Sequence, residues 1–177
     1  MSVVIEQLGR DGLRRFAEID RSEDVRIHYR MAGEELVAEE VVDPVPNFFA
    51  EGEHHSVQQL VHEWQPVIDA GGMLLGAFDE DRLAGIALLG DEVAPGVHQL
   101  ALLFVSRPYR RSGVASILMD EVERLAVNRN ATAIYVSSVP SDSAVGFYRS
   151  RGFELTDPLP DLWAREPDDI HMVRVLG

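Results

Sequence analysis

The chain has no cysteine and no lysine; all sixteen of its basic residues are arginine. Without cysteine there is no thiol nucleophile, no zinc–thiolate site and no disulfide staple, and the redox compartment stays undetermined. Without lysine there is no Schiff base, no P-loop lysine and no lysine base. Positive charge is itself scarce. Sixteen basic residues stand against thirty acidic ones, leaving a net charge of −14 over 177 residues. A surface this acidic repels nucleic-acid phosphates and anionic lipids, so neither nucleic acid nor a membrane is expected as a partner. Long apolar runs are missing as well: the longest strictly apolar stretch, Leu100 to Val105, falls far short of the ~20 residues of a membrane helix. Met1 to Gly12 carries Glu6, Arg10 and Asp11 where a signal peptide needs an apolar core. A cytoplasmic protein is the expectation. No G-x-S-x-G elbow supports a hydrolase triad, and no H-E-x-x-H spacing supports a metal. The His54-His55 pair is followed by His62 and Glu63, but with a helix starting near Ser56 the ligands lie two turns apart. No metal site is expected.

What is present is ordinary globular material, 46% hydrophobic and 26% charged, fitting one compact domain over residues 1–177. Val3-Val4-Ile5 opens as a strand, and Asp11 to Ile19 reads as an amphipathic helix with Leu13, Phe16 and Ala17 on one side. Met31 to Asp81 holds twelve acids and no arginine; within it, Val41 to Gly52 has the Pro, Asn and Gly of an irregular loop. Ser56 reads as the N-cap of a helix to about Ala70, closed by Gly71-Gly72. Met73–Phe78 and Leu83–Leu89 are strands joined by an Asp79–Arg82 turn, followed after Pro95-Gly96 by the apolar strand Val97–Val105. A helix over Gly113–Val127, a strand over Ala133–Val139, a short helix over Ser141–Ser150, and strands at Phe153–Leu155 and Ile170–Leu176 complete the order β-α-α-β-β-β-α-β-α-β-β. The fold class is mixed α/β.

The most informative segment runs from Val105 to Ala115, between the apolar strand and the following helix. Arg107, Arg110 and Arg111 place three cations in five positions of an otherwise acidic chain. Ser112, Gly113 and Ala115 allow close backbone approach. The first N–H groups of a helix have no intrahelical partner and the dipole there favours negative charge. These features describe a phosphate or pyrophosphate site; a tight turn with solvated arginines is the alternative on local chemistry alone.

Arg110-x-x-Gly113-x-Ala115 resembles the Q/R-x-x-G-x-G/A signature of the GNAT acetyltransferase superfamily, preceded as in that family by Pro108-Tyr109. Ala144-x-x-Phe147-Tyr148-x-x-x-Gly152-Phe153 resembles the family's second block. The resemblance spans about Met73 to Val175 and implies a mostly antiparallel central sheet whose fourth and fifth strands splay apart. It implies acetyl-CoA as cosubstrate, with Leu103, Phe104 and Val105 offering backbone to the pantetheine and the amides of Arg111, Ser112, Gly113, Val114 and Ala115 cradling the pyrophosphate. Arg110, Ser141, Ala144 and Phe147 belong to the same implied cofactor site. Tyr148 occupies the position of the family's general acid, and a phenol near pKa 10 stays protonated at pH 7 and can donate to a departing thiolate. Dimers are common in the family.

Two departures stand out. Ser141 replaces an asparagine that many members carry, though serine also caps a helix. The glutamate that many members place on the strand before the signature is missing, since His98 to Val105 holds no acid. A lysine-like amine with pKa about 10.4 is free base in only about one molecule in 2,500 at pH 7, a deficit of roughly 4.6 kcal/mol, so some group must take its proton. His98, a carboxylate between Glu39 and Glu53, and Glu92 are the candidates, and His98 titrates in a useful range. The implied function is direct acetyl transfer to a primary amine of a small molecule or peptide, with the acidic Met31–Asp81 segment suiting a cationic one. A non-catalytic acyl-CoA-binding sensor is the alternative.

Overall fold

The computed structural model describes residues 3–48 and 56–177. In chain order it contains β1 (Val3–Leu8), a 3₁₀ helix (Arg10–Glu18), β2 (Glu23–Ala32), β3 (Glu35–Val45), α1 (Val57–Asp69), β4 (Met73–Asp79), β5 (Arg82–Ala94) and β6 (Val97–Val105). After a 3₁₀ turn (Arg107–Tyr109) come α2 (Val114–Asn128), β7 (Ala133–Ser138), α3 (Asp142–Ser150), β8 (Glu154–Leu155), α4 (Pro160–Trp163) and β9 (Ile170–Val175). Seven strands form one sheet in the order β1-β4-β5-β6-β7-β9-β8, while β2 and β3 pair only with each other.

The main sheet is covered on both faces. Leu118, Met119 and Val122 of α2 and Val145 of α3 pack on Ile134, Val136 and Met172. On the other face Leu13 and Phe16 of the 3₁₀ helix and Trp64 of α1 pack on Leu74, Ile86, Leu88 and Leu102. Leu118 and Leu88 are fully buried, so cutting either to alanine would cost ~2–5 kcal/mol. α1 begins where expected, with the Ser56 hydroxyl accepting the Gln59 amide at 3.1 Å. It ends before Gly71, which sits at φ +107, a conformation glycine takes without strain.

Four local features differ from the expected order. The Arg10–Glu18 segment is a 3₁₀ helix; its buried Leu13 and Phe16, with the buried C-cap Ile19, recur every third position, which matches three residues per turn. The segment between it and the loop is a hairpin that the helix–helix order omits. Val25, Ile27, Tyr29 and Met31 alternate with charged or polar residues, a period-two strand signal, and Gly33 at φ +66 makes the turn. Val41–Val45, read as loop, is the end of β3, and the short α4 is likewise absent from the expected order. The hairpin docks on the main body through Tyr29 N–H to Pro140 O at 2.7 Å and a His28–Ser141 bridge. The rest of the Val41–Gly52 segment from Phe49 on, and the His54-His55 pair, lie outside the described residues.

The feature that positions the site is a fork. β6 runs parallel to β7, but the two pair only over Val97–Gln99 with Ala133–Tyr135. Beyond that root β7 stays paired to β9 and β6 to β5. In the β5–β6 register Leu89 opposes Leu100 and Leu88 opposes Leu102, leaving Ala101 as an extra residue. Ala101 and Leu102 accordingly face the same side of the sheet, and Leu103 returns to the α2 side. A bulge at this place bends the strand and increases its twist, which turns β6 away from β7. The expected splay of the fourth and fifth strands is therefore present, here as β6 and β7.

Candidate active site

The upper prong of the fork, β6 and the turn that follows, carries an open row of backbone donors. Ser106 N–H donates to Ala84 O at 2.9 Å, on the β5 side. Backbone direction alternates along a strand, so Phe104 also points to β5, while Leu103 and Val105 turn their backbone groups toward the gap. Phe104 instead contributes its ring, edge-on to Phe16 and Phe48 with centroids 5.8 and 5.4 Å away. The turn then passes through Arg111 at φ 59 and Gly113 at φ 90. Such left-handed positions between ordinary ones curl successive N–H groups toward one point. Among the described residues, none of the N–H groups from Arg111 to Ser116 donates within the protein. A Cβ built on Gly113 would meet nothing within 4 Å, so the concavity opens outward.

The three arginines of this turn divide their labour. Arg110 turns inward: its guanidinium donates to Val105 O at 3.2 Å, Ser22 O at 2.9 Å and Arg21 O at 2.9 Å. Arg107 bonds Asp24 at 3.2 Å and Ser22 at 3.3 Å. Only Arg111 keeps an exposed side chain without a hydrogen bond among the described residues. Of the arginines expected at the cofactor, Arg111 is thus the one with donors to spare. Ser112 uses its hydroxyl on Tyr109 O. The Val114 side chain is buried and Ala115 half-buried, so both offer the site their amides.

The lower prong is β7 with β9 and α3. Ser141 caps α3, its hydroxyl accepting the Ala144 amide at 3.3 Å. Phe147 and Tyr148 are partly buried against the α2–α3 core. The Tyr148 ring lies edge-on to Phe147 and Phe153, each centroid 5.4 Å away. Its hydroxyl makes no hydrogen bond among the described residues, and burial, helped by the Asp169 charge, pushes its pKa well above the ordinary phenol value. The group therefore stays protonated across the working pH range, as a hydrogen-bond donor must.

On the opposite face of the same prong lies a strip of polar side chains that no motif announced. The Tyr135 hydroxyl bonds His171 Nδ1, and Ser137 donates to Asp169 Oδ2 at 3.2 Å. Burial lowers the His171 pKa and raises that of Tyr135, so both are neutral at pH 7. Burial first, then the neighbouring Glu166 and Asp168, raise the Asp169 carboxyl to about 6 against the pull of Ser137. Asp169 is visible in the sequence only as one acid of Asp168-Asp169, and pairing it with Ser137 needs the strand register.

His98 sits apart from these groups. It lies on the root of the fork opposite Ile134, is 7% exposed, and its Nδ1 faces Gly90 O at 3.4 Å. No hydrogen bond joins it to Tyr148.

Over residues 34–160 the chain matches the model of the acetyltransferase (GNAT) domain. The chain belongs to the GNAT acetyltransferase family. Solved GNAT structures share the fold, two of them along nearly the whole chain. A nourseothricin acetyltransferase superposes with a TM-score of 0.73 at 17% identity, covering 100% of both chains. A protein from Bacillus anthracis, provisionally described as a streptothricin acetyltransferase and solved with acetyl coenzyme A, gives 0.70 at 19% identity over 98% of this chain and 96% of its own. An aminoglycoside 6'-N-acetyltransferase with coenzyme A gives 0.56 at 17% identity, covering 67% of this chain and 81% of its own. GNAT acetyltransferases use acetyl-CoA as acyl donor, and the residues here fit it. The free amides of Arg111 to Ser116 and the Arg111 side chain suit a pyrophosphate, and the unpaired edge of β6 suits the amides of a pantetheine chain. No helix among the described residues is long and apolar enough to cross a membrane.

Proposed function

We propose that this GNAT domain transfers the acetyl group of acetyl-CoA to a primary amine of a small molecule or peptide by direct attack. The observation that carries the reading is the fork: an edge of β6 that β7 leaves unpaired leads directly into a turn of unsatisfied amides. Leu103 through both backbone groups and Val105 through its N–H would hold the pantetheine, the Val105 carbonyl being taken by Arg110, and Arg111 to Ala115 the pyrophosphate. Arg110 acts from behind, fixing the end of β6 and the Arg21–Ser22 backbone in place. Ser141, Ala144 and Phe147 would shape the lower wall through the cap and packing of α3.

The alternation along β6 favours the Leu103 N–H as the group that polarises the thioester carbonyl. Tyr148 donates the proton to sulfur. His98, buried at the closed root, is less well placed for the acceptor's proton than groups on the lower prong.

The acceptor is a cation in this reading, although the expected acidic segment supports that less directly than its charge suggests. Several of its acids are already paired, Asp43 with His28 at 3.1 Å, Asp69 with Arg10 at 3.0 Å and Glu39 with Arg30. Thermal unfolding with acetyl-CoA, desulfo-CoA and ATP is the test of the donor. Ligand at about a hundred times its Kd should stabilise by ~2.7 kcal/mol, with both CoA compounds effective and ATP not. Thiol release with nourseothricin, an aminoglycoside, spermidine and a short peptide bearing a free α-amine then tests the acceptor. Stabilisation without turnover on any amine would favour the acyl-CoA sensor, a reading that the acid-free His98–Val105 strand keeps open.

A further inference from the structure

The reaction needs a proton acceptor, and β6 holds no acid. The polar strip on the lower prong holds one. Asp169 immediately precedes β9, and Ser137, on the β7 prong, fixes one carboxylate oxygen by a hydrogen bond of 3.2 Å. Asp169 also lies near enough to Tyr148 for its charge to act on that phenol. Ser137 lies beyond the Tyr135 end of the β6–β7 ladder, so the Ser137–Asp169 pair stands on the part of β7 that borders the gap. Further negative charge lies nearby: Glu166 and Asp168 flank Asp169, and Glu63 of α1 feels Glu166. His171 stands opposite Ser137 in the β7–β9 register and is 6% exposed. With its Nδ1 on the Tyr135 hydroxyl and its ring against the Glu166 backbone, it packs behind the strip. Asp169 is only partly buried, so Asp169 is the member an incoming amine can reach.

We propose that Asp169, held by Ser137, receives the acceptor's ammonium group and takes its proton. The inference rests on the acetyl-transfer reading. The ammonium gives one proton to the Asp169 carboxylate. The nitrogen lone pair then forms the bond to the acetyl carbon, while the carbon–sulfur bond breaks and its electron pair passes to sulfur. Sulfur takes the phenolic proton of Tyr148, the second N–H proton restores that phenol, and Asp169 releases its proton to water. The sum is one amide, one thiol and one proton.

The facing groups define what a pH profile will report. Tyr148 from α3 and Ser137 from β7 are neutral, His171 on the same strand is neutral at pH 7, and Glu166 and Asp168 are the nearby charges. Activity should therefore fall on the acid side with a midpoint near 6, where Asp169 protonates.

The test compares wild type, Asp169→Asn and Ser137→Ala on the same four amines. Asp169→Asn should lose about 100-fold in kcat/KM and the acid limb, while its stabilisation by acetyl-CoA stays that of wild type. Ser137→Ala should lose less and shift the limb upward, because the hydrogen bond that favours the charged form is gone. Carbon NMR of the Asp169 carboxyl supplies a readout independent of turnover: its midpoint near 6 should move down when the accepted amine binds. Transfer that Asp169→Asn leaves within about threefold of wild type, or an unmoved midpoint, overturns the proposal alone. No transfer by wild type to any of the four amines overturns the acetyl-transfer reading, and the proposal with it.

Discussion

The two prongs of the fork are built by opposite means. The β6 prong is local: strand, turn and helix start are contiguous from Val97 to Ala115, and backbone amides do the binding. The β7 prong is assembled: Tyr135 and Ser137 meet Asp169 and His171 across more than thirty residues of chain, and side chains do the work. A backbone site tolerates most side-chain changes except those that fill it or alter its φ. A side-chain site is lost by removing one atom group. In the proposed reaction the same fold would thus join a donor half insensitive to sequence detail with an acceptor half that depends on it.

The sharpest way to break this contrast is Gly113→Glu. The new carboxylate would stand among the free amides at a position whose φ of 90 already strains any L side chain. Acetyl-CoA should then give no midpoint shift, a loss of at least about 100-fold in affinity. A retained shift would show that the amide concavity is not the phosphate cradle. Next in size, Tyr148→Phe removes one hydroxyl from the assembled half. We expect kcat to fall about 100-fold while acetyl-CoA stabilises the variant as it does wild type. Equal turnover would remove Tyr148 from the chemistry.

Arg110→Ala should act on stability before it acts on binding. Its three carbonyl contacts tie β6 to the Arg21–Ser22 segment, and losing charge-assisted bonds of this kind costs ~2–3 kcal/mol. Arg110→Lys should recover little, since an ammonium cannot reproduce the planar fork. Chemical denaturation of both variants decides the matter; a stable Arg110→Ala that no longer binds acetyl-CoA would instead make Arg110 a direct ligand. The smallest effect has the opposite sign. Asp169 has a folded-state pKa of about 6, above the ~3.9 of an unfolded chain, so the folded protein holds that proton more tightly. Stability should fall as pH rises from about 4 to about 6, and Asp169→Asn should be more stable than wild type at pH 7 by ~1 kcal/mol, allowing for partial exposure. Equal midpoints at pH 7 would mean that the carboxylate is better solvated than its surroundings suggest.

The contiguous half is legible in the sequence alone. The apolar Val97–Val105 run, Gly113 and the α2 stripe are local signals, and the Ser56 and Ser141 caps fall where their hydroxyls predict. Within that half, Arg110 cannot be told from Arg111, because motif position does not reveal which guanidinium turns inward. The 3₁₀ periodicity of Leu13, Phe16 and Ile19 and the alternation from Asp24 to Met31 are also present, but both are short and interrupted by closely spaced charges of both signs. The assembled half is not legible. Ser137 and Asp169 become partners only through the β7–β9 register, and His98 reads as a free histidine because sequence does not show that it lies buried at the root.

The three-residue root of the fork has a kinetic consequence. A ligand that must separate a pair of hydrogen-bonded strands waits for them to fray, and each broken ladder bond adds ~1 kcal/mol to the barrier. Here the ladder between β6 and β7 ends at Gln99 and Tyr135, so the gap is part of the fold itself. Capture of the acyl donor then needs no unzipping step, and the encounter rate is set by diffusion and by how often the arriving pyrophosphate meets the turn in the right orientation.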